Sequence, residues 1–144
     1  MTIDEVRAKV QRMLIEILGS AEVDKGGDFR ISQGSTSGYV SVLDYGDGDF
    51  IVQLWAYVLA NVPETPELFE WIAKKGNRYF FGSMSFNSWE EDGKVVNHLL
   101  FEHNLFANFL DLDELKHALF GVFLTADKLD NELQDLFGGD LVNA

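Results

Sequence analysis

The hydrophobic positions near each end of the chain recur at the spacing of an amphipathic helix. Thr2 and Glu5 have the spacing of a capping box, and the apolar residues that follow, over 6–18, recur every three or four positions. Asp111 begins a second capping pattern, ahead of a longer run of leucines at alternating spacings of three and four. The pattern therefore predicts a helix at the beginning of the chain and a longer helix that ends near Gly138.

Between these helices, apolar and polar residues alternate in a way that is typical of strands. Three such stretches, separated by glycine-containing turns, lie at residues 28–32, 39–45 and 50–59. Thr65 and Pro66 then have the arrangement of a helix start, and two further strands follow. The predicted order is α-β-β-β-α-β-β-α. This order favours an antiparallel sheet packed against helices, an α+β fold formed by a single domain over residues 1–144.

The two-residue turn Asp92-Gly93 sets the register of the last two predicted strands, which lie between Tyr79 and about Phe106. Because side chains alternate across a strand, one face of this hairpin is almost wholly apolar, and the other mixes small polar residues with large aromatic ones. The strand at 50–59 repeats this division. We predict that the mixed face binds a partner, with these candidate residues: Trp55, Tyr57, Phe81, Trp89 and Leu100. Whether a helix covers this face stays open from the pattern alone.

Composition and charge narrow the classes of partner. The chain has 144 residues and no cysteine, which excludes disulfides, thiolate metal sites and cysteine nucleophiles. With 11 basic and 24 acidic residues, the net charge of −13 disfavours nucleic acid and anionic membranes as partners and suits a basic one. The acidic N-terminus lacks the basic region of a signal peptide, and no apolar run reaches the length of a membrane span. We therefore expect a cytoplasmic protein that does not enter a membrane.

The residue types that carry out catalysis form no recognisable constellation in this sequence. His98 and His103 are an odd number of positions apart in one predicted strand, so they point to opposite faces and do not share a metal ion. The stretch from Asp44 to Asp49 resembles a calcium-binding loop, but it lacks the glycine and the glutamate needed at the sixth and twelfth positions. We predict a non-enzymatic protein with no catalytic residue, no metal site and no cofactor.

The last part of the chain resembles a known family. The stretches Leu112-Asp-Glu-Leu115, Ala126-Asp-Lys-Leu129-Asp and Leu133-Gln-Asp-Leu-Phe-Gly-Gly139, together with the predicted element order, resemble type III secretion chaperones and the related YbjN-like domains, in particular the YbjN-type proteins of actinobacteria. The resemblance covers about residues 3 to 139. It implies a cytoplasmic, non-enzymatic domain that binds a peptide or protein segment, often as a homodimer. Chaperones of this kind hold extended client segments against a sheet or its edge.

Three functions follow, and they differ in what contacts the protein. The first is a chaperone-like or regulatory module that binds a peptide or protein, holding a client segment on the aromatic sheet face or on a strand edge. The second is a homodimeric regulatory or assembly subunit that uses the same surface only for self-association. The third and most distant is an enzyme or small-ligand binder, which needs a concave pocket with convergent polar groups.

Overall fold

The computed structural model describes residues 1–143, which form three helices and six strands. In chain order these elements are α1 Ile3–Leu18, β1 Glu22–Val23, β2 Phe29–Gln33, β3 Thr36–Gly46, β4 Asp49–Leu59, α2 Pro66–Lys75, β5 Ser83–Glu91, β6 Lys94–Phe106 and α3 Leu112–Phe137. All three predicted helices are present, and the side chains of Thr2, Thr65 and Asp111 accept hydrogen bonds from their first turns. The last residue of the predicted domain, Ala144, lies outside the described residues.

The six strands form one antiparallel sheet in the order β1-β2-β3-β4-β6-β5. This arrangement confirms the predicted α+β class with an antiparallel sheet packed against helices. Two details differ from the sequence prediction. The edge strand β1 has only two residues, too few for an alternating pattern to reveal it. In addition, β5 begins at Ser83 rather than at Tyr79, because Gly82 has a φ of 107° and turns the chain before the strand.

The turn between β5 and β6 has the geometry that the sequence predicts. Both residues of Asp92-Gly93 have positive φ, at 51° and 78°, as a type I′ turn requires. The predicted register holds from this turn to the pair Ser83–Glu102. Beyond that pair the predicted hairpin does not continue toward Tyr79, since Phe81 lies outside the strand.

The three helices pack on one face of the sheet. α3 lies against β4 and β6, α1 lies against β3, and α2 lies against β5. In β4, every second residue from Phe50 to Val58 is at most 4% exposed, so the main core lies between this face and the helices. α2 joins the core through Leu68, with Trp71 and Ile72 packed against it, and the more exposed Phe69 ring meets the Phe86 ring edge-on at a centroid distance of 5.0 Å.

The other face of the sheet has no helix against it within residues 1–143, and we call it the open face. Its side chains come from odd-numbered residues of β3, β4 and β5 and from even-numbered residues of β2 and β6. Four of them in β4 are partly exposed, namely Ile51, Gln53, Trp55 and Tyr57. The mixed face that the sequence predicts is therefore this open face, and none of the three helices packs on it within residues 1–143. Over the same residues, no helix is both long enough and apolar enough to cross a membrane.

Candidate functional site

A continuous row of rings crosses the open face through four strands. Ring centroids lie 4.9 Å apart for Tyr39 and Trp55, 5.3 Å for Trp55 and Tyr57, 5.4 Å for Tyr57 and His98, and 4.3 Å for His98 and Trp89. We call these five residues the aromatic band. Two of these ring pairs are edge-on, an arrangement that aromatic side chains prefer, and the other two are tilted.

The strand register explains how the aromatic band forms. Tyr39 on β3 is directly opposite Trp55 on β4, and Trp55 is opposite Glu102 on β6. Opposed residues in an antiparallel pair have Cβ atoms about 4.5–5.5 Å apart, so their side chains touch. Gly38 permits this close approach, because a Cβ atom there would lie only 2.0 Å from the Trp55 carbonyl oxygen.

Hydrogen bonds hold the two tryptophans of the aromatic band in place. Trp55 Nε1 donates to Ser41 Oγ at 3.2 Å, and Trp89 Nε1 donates to Glu91 Oε1 at 2.7 Å. The same Glu91 oxygen lies 4.0 Å from His98 Nε2. Both indoles therefore have their polar atoms satisfied within the protein, and their apolar ring surfaces remain available at the open face.

Burial sets the protonation of the two titratable rings at the centre of the aromatic band. It lowers the pKa of His98 below its ordinary value, against the opposing influence of the Glu91 carboxylate, so the imidazole is neutral at pH 7. Burial also raises the pKa of Tyr57, and Tyr39 and Glu91 act in the same direction. Neither ring nitrogen of His98 has a hydrogen-bond partner within residues 1–143, and His98 is only 7% exposed.

Four of the five predicted site residues lie on the open face. Trp55, Tyr57 and Trp89 belong to the aromatic band, and Leu100 is buried directly opposite Tyr57 at 4% exposure. Phe81 does not join them, and its assignment to this face is wrong. The Phe81 side chain lies on the helix side of the sheet instead.

The position of Phe81 follows from its neighbours. Its ring meets the His103 ring edge-on at 5.7 Å, and its Cβ lies 2.8 Å from where a Cβ on Gly121 of α3 would be. The alternation of faces was extended from β5 through residues 79–82, but Gly82 interrupts the strand there. Counting by twos is valid only while the backbone stays extended.

Two members of the aromatic band, Tyr39 and His98, were not among the predicted site residues. The signal for His98 was present, because the Asp92-Gly93 turn places it opposite Asn87 on the mixed face. Tyr39 had no comparable signal, since a register irregularity between Asp44 and Gly46 separates it from its turn.

The outer edge of β5 is available for strand pairing next to this face. Met84 N–H donates to the Gly76 carbonyl at 2.7 Å, which shows that even-numbered residues of β5 direct their backbone groups away from β6. Within residues 1–143, the backbone groups of Phe86, Ser88 and Glu90 form no such bond to a further segment. An unpaired strand edge of this kind is able to accept an extended peptide.

Other features of the molecule offer less for chemistry. Within residues 1–143, no group of three or more His, Asp or Glu side chains is placed to hold a metal ion. A cleft of about 390 Å³ opens on the helix side between α2 and α3, with Trp71, Leu136 and Phe137 in its wall. The aromatic band is therefore the first candidate for a binding site, and the cleft between α2 and α3 is the second.

Known proteins resemble this chain in sequence pattern and in fold. Residues 4–144 match a family model described as the T3SS (YopN, CesT) and YbjN peptide-binding chaperone 1, TY-Chap1. The chain belongs to this family. The resemblance inferred from the sequence is therefore confirmed, and TY-Chap1 is by its description a family of peptide-binding chaperones.

This chain also resembles a solved structure in its fold. The crystal structure of YbjN from E. coli superposes with a TM-score of 0.55 at 8% sequence identity, over 87% of this chain and 92% of YbjN. At that identity the likeness concerns the fold alone. The search with this chain's sequence matches no curated protein.

Proposed function

We propose that this TY-Chap1 chain binds an extended segment of a client protein on its open face, along the aromatic band and the free edge of β5. The observation that carries the proposal is the aromatic band itself, a row of rings on a sheet face that no helix within residues 1–143 covers. The role is one of binding without catalysis, and we place it in the cytoplasm. The family description supports peptide binding as the general activity.

The physical argument joins two complementary surfaces. The rings of the aromatic band offer apolar contact area that is already oriented, so little side-chain entropy is lost when a partner covers them. The outward backbone groups of Phe86, Ser88 and Glu90 offer hydrogen bonds to any extended chain, whatever its sequence. Together they suit a client that is held by its backbone and selected by alternate side chains.

The three tryptophans provide an internal test of where a peptide binds. Trp55 and Trp89 lie in the aromatic band, whereas Trp71 is on the helix side, where its ring meets Phe137 at 6.5 Å. We suggest titrating ¹⁵N-labelled protein with nine-residue peptides that alternate serine with valine, leucine or phenylalanine. The indole N–H signals of Trp55 and Trp89 are expected to shift while that of Trp71 stays in place.

A matched pair of variants completes the experiment. Trp55→Ser/Trp89→Ser is expected to lower peptide affinity about tenfold or more, because aromatic anchors dominate binding energies. Phe80→Ser serves as control, since it removes a ring that is 99% exposed and lies outside the aromatic band. Circular dichroism checks that both variants fold. A shift of Trp71 alone would assign the peptide to the cleft between α2 and α3, and no shift with any peptide would overturn the proposal.

The alternative function places a second copy of the chain on the open face. In a dimer that uses this face, two chains of net charge −13 come together, and the repulsion between them opposes that contact. Mass measurement in solution separates the two functions. We expect Trp55→Asp to abolish peptide binding and to leave the oligomeric state, measured as mass in solution, unchanged. A dimer that Trp55→Asp splits would instead identify the open face as the dimer contact.

A further inference from the structure

The carboxylates of Glu102 and Glu91 lie beside the aromatic band. Glu102 on β6 is between Trp55 and Ser83 in the register, and it is partly exposed. Glu91 accepts a hydrogen bond from Trp89 at the other end of the aromatic band. Within residues 1–143, no Lys or Arg nitrogen lies within 4.0 Å of either carboxylate, and Lys94, which is opposite Glu91, is no exception.

The small side chains of β5 leave Glu102 accessible from the edge of the sheet. Ser83 and Ser85 are the β5 residues opposite Glu102 and Leu100, so no large side chain stands between those two residues and a segment added at β5. A long cationic side chain on such a segment is able to reach across one strand to the Glu102 carboxylate, since neighbouring strands are about 4.8 Å apart.

We propose that the segment held on the open face is basic, with lysine or arginine side chains that pair with Glu102 and Glu91 and lie against the neighbouring indole rings. This inference rests on the proposed function and adds the chemistry of the client. A cation near both a carboxylate and an aromatic face gains from charge pairing and from the ring quadrupole. The chain's net charge of −13 favours the same partner at longer range.

The sheet geometry also sets the spacing of the two cations. The free edge of β5 begins after Met84, so a segment paired with Phe86, Ser88 and Glu90 has open-face side chains beside Ser85 and Glu91, six residues apart and about 20 Å in an extended chain. A cation beside Ser85 reaches diagonally across β5 to Glu102, and a cation beside Glu91 meets that carboxylate directly. The two open-face side chains between them lie in the rows of His98 and Trp89.

A pair of synthetic peptides tests this chemistry. The first has seven residues, with lysine at the first and seventh positions, valine or leucine at the third and fifth, and serine elsewhere. The second has glutamine in place of both lysines. Calorimetric titration is expected to show the lysine peptide binding about tenfold more tightly, an advantage that falls as salt is added.

Charge-removing variants locate the effect on the protein. Glu102→Gln and Glu91→Gln are each expected to weaken the lysine peptide about threefold and to leave the glutamine peptide unchanged. Glu16→Gln is the matched control, because it removes the same charge from an exposed position on α1, which packs on the other side of the sheet. Affinity for the lysine peptide is expected to change little in that variant.

The outcomes separate this inference from the proposed function. Equal affinity for the two peptides overturns the inference while leaving the open face as a peptide site. A loss in Glu16→Gln as large as in Glu91→Gln also overturns it, because the effect then comes from net charge. If neither peptide binds, the inference falls, and the proposed function falls with it when the tryptophan signals also stay in place.

Discussion

The two faces of β4 are formed by alternate residues, and they differ in burial and in the side chains they contact. On the helix side, Leu54 and Ala56 are completely buried against α3 and its neighbours. On the open face, Trp55 and Tyr57 are partly exposed and contact mainly one another and neighbouring rings. The burial difference between successive residues shows that one strand contributes both to the core and to the candidate site.

This division has a consequence for how the protein tolerates change. Side chains on the helix side lie in a close-packed core, where loss of volume leaves a cavity. Side chains on the open face give up less buried area when they are replaced, so their identity is less constrained by folding. The aromatic band is therefore the part of the sheet that is free to be specialised for a partner.

The largest expected effect comes from truncating neighbouring residues on the two faces. Leu54→Ala is expected to reduce the free energy of unfolding by about 3 kcal/mol, through lost burial and the cavity that remains. Trp55→Ala is expected to cost only about 1–2 kcal/mol, because its ring is partly exposed in the native state. Urea unfolding followed by circular dichroism measures both.

Peptide binding should reverse the order of these two variants. Trp55→Ala is expected to lose affinity for the nine-residue peptides, while folded Leu54→Ala keeps it. If Trp55→Ala destabilises the protein as much as Leu54→Ala does, the open face is part of the core and the comparison between the faces fails.

A smaller effect is expected at Gly121, where the structure corrects the position of Phe81. Alanine in the interior of a helix is normally about 1 kcal/mol better than glycine. At Gly121, however, a new Cβ would lie 2.8 Å from both Cβ and Cδ2 of Phe81. We therefore expect Gly121→Ala to destabilise the protein by about 1–2 kcal/mol through overpacking.

The matching control removes the Phe81 side chain, which the new Cβ would otherwise contact. In a Phe81→Gly background, both contacting atoms are absent, so Gly121→Ala is expected to become stabilising by about 1 kcal/mol. A double-mutant cycle from urea unfolding gives the interaction between the two sites. If Gly121→Ala stabilises the protein in both backgrounds, the Phe81 side chain does not contact Gly121, and its assignment to the helix side is wrong.

The case of Phe81 shows where sequence reasoning about this sheet succeeds and where it stops. The α+β class, the three helices and the register of the last hairpin could be predicted, because capping boxes and the Asp92-Gly93 turn are local signals. That turn also placed Trp89 and Leu100 on the mixed face, and the alternation along the strand at 50–59 placed Trp55 and Tyr57 on one side of that strand. Backbone irregularities are not visible in the alternation of side chains, and Gly82 is one of them.

Tyr39 illustrates the same limit more sharply. Near the turn between β3 and β4, Gly46 pairs with Asp49, so the residue numbers of opposed pairs add to 95; beyond the irregularity, Tyr39 pairs with Trp55 and they add to 94. Counting from the turn would therefore have put Tyr39 on the helix side. A shift of one residue moves every later side chain to the other face.

The smallest effects concern pH, and they have opposite signs on the two sides of the sheet. On the helix side, Asp130 of α3 is fully buried next to Ser35 and Asp127, and one of its carboxylate oxygens has no hydrogen-bond partner within residues 1–143. Burial raises the pKa of Asp130, and Asp127 acts in the same direction, although hydrogen bonds from Ser35 and Asn131 oppose the shift.

The sign for Asp130 follows from linkage. Because its pKa is higher in the folded state than in the unfolded state, its favourable contribution is complete below the unfolded value of 3.8 and is lost as pH rises through the folded value. Asp130→Asn lacks this dependence. The free energy of unfolding of Asp130→Asn, relative to the parent, is therefore expected to increase as pH rises from about 4 to 7.

His98 on the open face should behave in the opposite way. Burial lowers its pKa below 6.5, so the unfolded state binds a proton more readily and the parent loses stability as pH falls through 6.5 toward the folded value. His98→Gln removes that loss, and its stability relative to the parent is expected to increase as pH falls from 7 to 5. Urea unfolding of the parent and both variants at several pH values measures the two trends. If His98→Gln follows the parent at every pH, then His98 is solvated in the folded state, and the aromatic band is looser than the ring distances indicate.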